Sequence, residues 1–157
     1  MLAPETITFL EGGCATLVGT VSADGEPHAG RGWGVTFVST DPIEVRLLVD
    51  ADDHVGLEHL ATTKRVAITG ADVRTSRSIQ IKGTAGALEP ATDADRERAA
   101  RFVDDFFGSV TAVDGTPREL LDRMRARDFV ACAVCITEVY DQSPGPGAGT
   151  AMPAGGE

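Results

Sequence analysis

The chain has 157 residues, 42% of them hydrophobic and 24% charged, values that fit a compact globular domain and exclude a fibrous or wholly disordered polymer. Fourteen lysines and arginines stand against 24 aspartates and glutamates, a formal charge of −10. That balance repels bare phosphate backbones and anionic membrane surfaces, so neither nucleic acid nor a membrane is expected as a partner. Three cysteines are too few, and odd in number, for a secreted disulfide scaffold. No apolar run approaches the ~18 residues of a spanning helix, and the start MLAPETITFLEGG lacks a basic region and a long apolar stretch, so a cytoplasmic location is expected.

In chain order, CATLVGTVS (from Cys14) is apolar and β-branched and ends at Asp24-Gly25, a strong hairpin signal. HAGRGWGVTFV then reads as a second strand, STDP as a turn and IEVRLLVDA as a third strand. DHVGLEHLATTK spaces Val55, Leu57, Leu60 and Ala61 as a short amphipathic helix, after which RVAITGAD returns to strand composition. In SRSIQIKGTAGALEP, Ile79 and Ile81 face one way while Ser78, Gln80 and Lys82 face the other. Thr92 caps the clearest helix, with Ala99, Phe102, Val103, Phe106, Phe107 and Val110 at helical spacing. Thr116, Pro117 and Glu119 form a capping box that predicts a second helix running to about Arg127, before FVACAVCITEVY closes as a last strand. The strand and helix signals do not alternate as βαβ units would. They predict a mainly β fold with peripheral helices, a six-stranded antiparallel barrel over residues 1–142, and a Pro/Gly-rich tail over residues 143–157 with nothing to bury.

Few residue clusters point to chemistry. Cys132 and Cys135 form C-x-x-C, but mid-strand, where residues three apart face opposite ways and cannot chelate one ion; no metal site is expected. His54, Glu58 and His59 resemble a zinc-peptidase motif with wrong spacing and read better as surface residues of a solvated helix. Gly30, Gly32 and Gly34 recur at alternate positions with Trp33 on the opposite face, which means either that a flat group approaches the backbone or that the strand bends or bulges. No nucleophile elbow, P-loop or dinucleotide fingerprint is present, and the residues point to no catalytic side chain.

The segments TVSADGEPHAGRGWGVTF, EVRLLVDA, the short helix, KRVAITGAD and RSIQIKGTAGAL, in that order, resemble the pyridoxamine 5'-phosphate oxidase-like flavin-binding split barrels. The closing YDQSPGPGAG also resembles C-terminal ends in that group, so the resemblance runs from Ala3 to Gly149. It implies a homodimer of split barrels with FMN in each of two clefts at the subunit interface. It places Arg31 at or beside the phosphate-binding arginine and puts Ser78 and Gln80 on the strand that contacts the flavin. Gly32, Trp33 and Gly34 flank that arginine, and Lys64, Arg77 and Lys82 add cations. Where members of the group carry a Ser-Arg-Lys type clamp at the start of the short helix, this chain has Asp53, His54, Val55 and Gly56. Substitute cations lie in Lys64, Arg65, Arg74, Arg77 and Lys82, with Thr75, Ser76 and Ser78 interleaved. For one phosphate, Arg31 and Lys82 are the leading pair.

The function so implied is flavin-dependent oxidoreduction of a small organic molecule, in which the ring performs the redox step and few titratable side chains are needed. The alternatives are a non-catalytic protein that stores or senses a flavin, deazaflavin or haem, and a barrel that only mediates association. Oxidation of pyridoxamine phosphate itself is not expected, because a second phosphate would need its own basic pocket and no Arg-His pair lies near the C-terminus.

Overall fold

The computed structural model describes residues 2–153. The barrel strands are β1 Ala15–Val21, β2 Pro27–Thr40, β3 Ile43–Asp50, β4 Arg65–Ala71, β5 Ser78–Pro90 and β6 Phe129–Asp141. They form one antiparallel sheet in the order β3-β2-β1-β4-β5-β6, closed by pairing of β6 with β3. The barrel expected from the sequence is therefore present, and its inward positions alternate as the pleat requires. Val18, Val35, Val45, Leu47, Val49, Val66, Ile68, Ile79, Ile81, Cys132, Val134 and Val139 fill the interior.

Helix α2 (His54–Thr62) lies between β3 and β4 and sends Leu60 into that interior. Helix α3 (Asp93–Asp114) packs on the outside, where Ala99, Phe102, Val103, Phe106 and Phe107 build a second core with Trp33, Leu48, Phe129 and Ala131. Its start is a capping box of Thr92 and Asp95, and it ends at Gly115 in the left-handed conformation, φ 75°. No helix among the described residues is long and apolar enough to cross a membrane.

Three elements depart from the sequence reading. Pro4–Glu11 forms a helix, α1, whose Thr6 and Leu10 are buried; proline in its first turn was the available signal. The helix expected from Thr116 to Arg127 spans only Arg118–Asp122, α4, capped by Pro117 without a side-chain hydrogen bond. Thr116 is instead held at the end of α3, where its amide donates to Asp114 and its carbonyl accepts from Thr111. A longer helix would also have set Arg123 and Arg127 against each other at i,i+4. The tail turns back at Gly149 and adds a short strand, β7 (Thr150–Ala151), to the free edge of β6, with Met152 packed against the barrel core. The last tail residues, 154–157, lie outside the described residues.

One ion pair ties α3 to the barrel. The Arg46 guanidinium on β3 donates from Nε and Nη2 to both oxygens of Asp95, each at 2.8 Å, and from Nη1 to Glu89 at 3.0 Å. The bidentate contact holds the Asp95 carboxyl at a pKa of about 2. A carboxyl lowered in the folded state stabilises above its unfolded pKa, and this stabilisation is lost as pH falls toward 2. Asp95→Asn should therefore cost roughly 2 kcal/mol in urea denaturation at pH 7. The gap between variant and parent should narrow as pH drops below about 4.

Candidate functional site

The barrel interior is occupied by side chains, and α3 and α4 cover the outside over Trp33, Leu48 and Ala131. The outward faces of β1, β4, β5 and the C-terminal half of β6 remain open. Register fixes what they present. Arg31 on β2 pairs with Leu17 on β1, Leu17 with Thr69 on β4, Thr69 with Gln80 on β5 and Gln80 with Tyr140 on β6, so these five side chains form one row across the sheet. The adjacent row runs Ala29, Gly19, Ala67, Lys82 and Glu138. Arg65 and Thr84 follow as the next outward pair.

Between these rows lies an open groove of about 420 Å³, with Gly19 and Ala67 as its floor and Arg65, Lys82, Thr84, Thr137 and Glu138 around it. Arg65 and Lys82 stand diagonally on adjacent strands, where Cβ atoms are roughly 7–8 Å apart. The Lys82 ammonium sits 4.6 Å from the centre of the Tyr140 ring. The Tyr140 hydroxyl donates to Glu138, and that bond raises the phenol above its ordinary pKa. Gln80 Nε2 donates to Thr69 Oγ1 at 2.9 Å, which leaves the amide oxygen without a partner among the described residues. Leu17, 48% exposed, is a large apolar side chain in the middle of this polar array.

The sequence-derived residues separate into groups. Gln80 and Lys82 are neighbours on the open face, and Ser78 lies on the same face one outward position further, its amide bonded to Ser143 of the tail. Arg31 shares the face but stands three strands from Lys82, roughly 14 Å across the sheet, so the two flank the array rather than meet. Lys64 is in the turn before β4, with φ 60° and its carbonyl bonded to Ala85. Arg77 precedes β5 and stacks on Phe9 of α1, 4.7 Å from the ring centre, away from the groove. Trp33 is 3% exposed and packs on Phe107 and Phe129.

A bulge in β2 explains the glycine series. Gly32 pairs with Val49 but Val35 with Leu47, so one extra residue enters here and reverses the alternation. Gly34, with φ 153°, consequently faces Arg98 and Leu48 on the side of α3, as Trp33 does, rather than sharing the face of Gly30 and Gly32. A Cβ at Gly32 would lie 2.5 Å from Thr16, and one at Gly30 would lie 2.3 Å from Asp53. The space beside both is filled by this chain's own side chains.

Asp53 is likewise turned inward. Its Oδ1 accepts from the Gly56 amide at 3.0 Å as the N-cap of α2 and from His28 Nε2 at 2.8 Å. Its charge is thereby spent on the helix start and on His28, and it does not face the groove. His54 and Glu58 are exposed as expected, but His59 is buried, 8% exposed, with Nδ1 bonded to Thr20 Oγ1 at 3.1 Å. Cys132 faces the core and Cys135 the outside; burial pushes the Cys132 thiol up to about 11. Asp53→Ala removes both bonds and should lower stability by about 1–2 kcal/mol, read as a lower urea midpoint at unchanged slope.

No protein-family sequence profile matches this chain, and no curated protein matches it in sequence. Similarity appears in solved structures. HupZ from Group A Streptococcus aligns with a TM-score of 0.58 at 14% identity, covering 95% of this chain and all of that one (100%). A candidate pyridoxamine 5'-phosphate oxidase from Lactobacillus delbrueckii aligns at 0.55 with 19% identity, covering 88% of this chain and 93% of that one. An F420 reductase aligns at 0.55 with 17% identity, covering 87% and 98%. With the closed six-stranded barrel and its peripheral helices, these alignments show that the chain has the split-barrel fold of the pyridoxamine 5'-phosphate oxidase-like proteins.

Proposed function

We propose that the open face binds FMN, that two copies pair over it to wall in the ring, and that the assembly is a flavin-dependent oxidoreductase for a small organic molecule. The observation that carries this reading is the filled barrel. With the interior packed and one flank under α3, a ligand of this size has the open quadrant, and there two cations, several hydroxyls, an amide and an exposed leucine converge. The names of two fold neighbours, an F420 reductase and a candidate pyridoxamine 5'-phosphate oxidase, support it.

The donor set fits the cofactor. Arg65 and Lys82, on adjacent strands, hold the phosphate with the hydroxyls of Thr84 and Thr137. Gly19 and Ala67 leave the sheet surface low enough for a planar ring to lie on it. The Gln80 amide reaches the ring edge or the ribityl chain, and Leu17 covers the ring and excludes water. Arg31 guards the far rim. When bound, the isoalloxazine supplies the redox chemistry while the protein supplies position, hydrogen bonds and a dry surface.

The purified protein, as isolated or after addition of FMN, should show a flavin absorption spectrum and the mass of a dimer by light scattering. Arg65→Ala and Lys82→Ala should each weaken FMN roughly ten- to a hundred-fold while leaving riboflavin, which lacks the phosphate, nearly unchanged. Gln80→Ala should weaken both ligands alike. Oxidation of NAD(P)H by the loaded dimer distinguishes an enzyme from a flavin store. A Soret band without flavin uptake would assign the face to haem, and a colourless monomer that ignores FMN would overturn the proposal.

A further inference from the structure

Away from the open face, where α4 runs into β6, a cavity of about 650 Å³ is lined by Arg96, Arg123, Arg125 and Arg127, with Asp122, Ala126 and Phe129. Four of the chain's 14 cations thus converge at one place in a molecule of net charge −10. Among the described residues, Arg123, Arg125 and Arg127 are in no ion pair. The one acid in the lining, Asp122, is taken by Arg118, whose Nε donates to it at 2.8 Å. Arg96 is shared with Asp128 at 3.3 Å and with Asp93 at 3.6 Å. The cavity floor is apolar, formed by Ala126 and Phe129, each 6% exposed.

We infer that this arginine-lined cavity is a binding site for a small diphosphate-bearing organic molecule. Three guanidinium groups without acidic partners match the charge of a diphosphate better than that of a monophosphate, and each offers a forked pair of donors to phosphate oxygens. Phe129 and Ala126 supply a surface for the organic part. A nucleic acid would meet the same arginines, but the remainder of the molecule, with its excess of acids, repels a long phosphate chain. The site is distinct from the proposed flavin face: Phe129 begins β6 and Tyr140 lies near its end, up to about 36 Å along an extended strand.

The protein carries its own reporter, because its single tryptophan, Trp33, has its ring centre 6.3 Å from that of Phe129. Inorganic pyrophosphate and orthophosphate, titrated separately and followed by Trp33 emission and calorimetry, are the probes. Pyrophosphate should bind saturably and at least about ten-fold tighter than orthophosphate. Arg125→Gln and Arg127→Gln should each weaken it roughly ten-fold without changing the melting temperature. Arg101→Gln, an exposed cation on α3 outside this cavity, should leave it unchanged. Absence of saturation at millimolar pyrophosphate, an equal loss in Arg101→Gln, or tighter binding of a single-stranded oligonucleotide would overturn the assignment.

Discussion

The structure depends on the double pairing of β6. Its first half bonds to β3, from Phe129 opposite Asp50 to Cys135 opposite Glu44, while its other edge bonds along β5 from Pro90 to Ile79. That closure pairs β3 with the first half of β6, leaves only the second half of that β6 edge for β7, and gives every strand one face inside and one outside. The inside then has to be filled. It is filled by branched aliphatic side chains from the strands, with Leu60 of α2 and Leu10 of α1. A barrel packed in this way has no room for a ligand, so any binding function is confined to its outer surface.

The helices then divide that surface. The phenylalanines of α3 cover Trp33, Leu48 and Ala131, and Arg46 clamps the start of this helix through Asp95. The β2 bulge turns both Trp33 and Gly34 toward α3. Arg98 of α3 fixes the bulge from outside by donating to the Val35 carbonyl at 2.8 Å and to the Glu11 carbonyl of α1. What remains open is the quadrant around Leu17, Thr69, Gln80 and Lys82. The arginine cavity is a product of the same division, since it forms where the short α4 stops and the chain must dive to bring Ala126 and Phe129 into the second core.

Much of this was legible in the sequence because it rests on local periodicity. The alternation of Ile79 and Ile81 with Ser78, Gln80 and Lys82 gave the correct inner and outer faces of β5, and Ala99 to Val110 gave α3 and its buried stripe. What escaped depends on pairing across distant strands. Arg65 opposite Thr84, Leu17 opposite Thr69 and Tyr140 opposite Gln80 become neighbours only once register is known. Arg31 and Lys82 looked like partners because the two strands between them, β1 and β4, are invisible in the sequence. The glycine series offered a bulge as one of its two readings, but not its position, and the one inserted residue reverses the pleat so that Trp33 and Gly34 face the same side rather than opposite ones. His59 read as a surface residue because the hydroxyl that holds it, Thr20, comes from a strand 39 residues away. The departure at Asp53 was visible, but the inward turn of its carboxylate was not, since that depends on the bond to His28 on another element.

The central claim, that ligand chemistry lies on the open outer face of a packed barrel, is tested most directly by backbone amide NMR during a titration with FMN. The account predicts shifts concentrated at Leu17, Gly19, Ala67, Thr69, Gln80, Lys82 and Thr84, with the inward neighbours Val18, Ile68 and Ile81 affected only weakly. Shifts centred on Trp33 and α3, or spread through the interior positions, would contradict it.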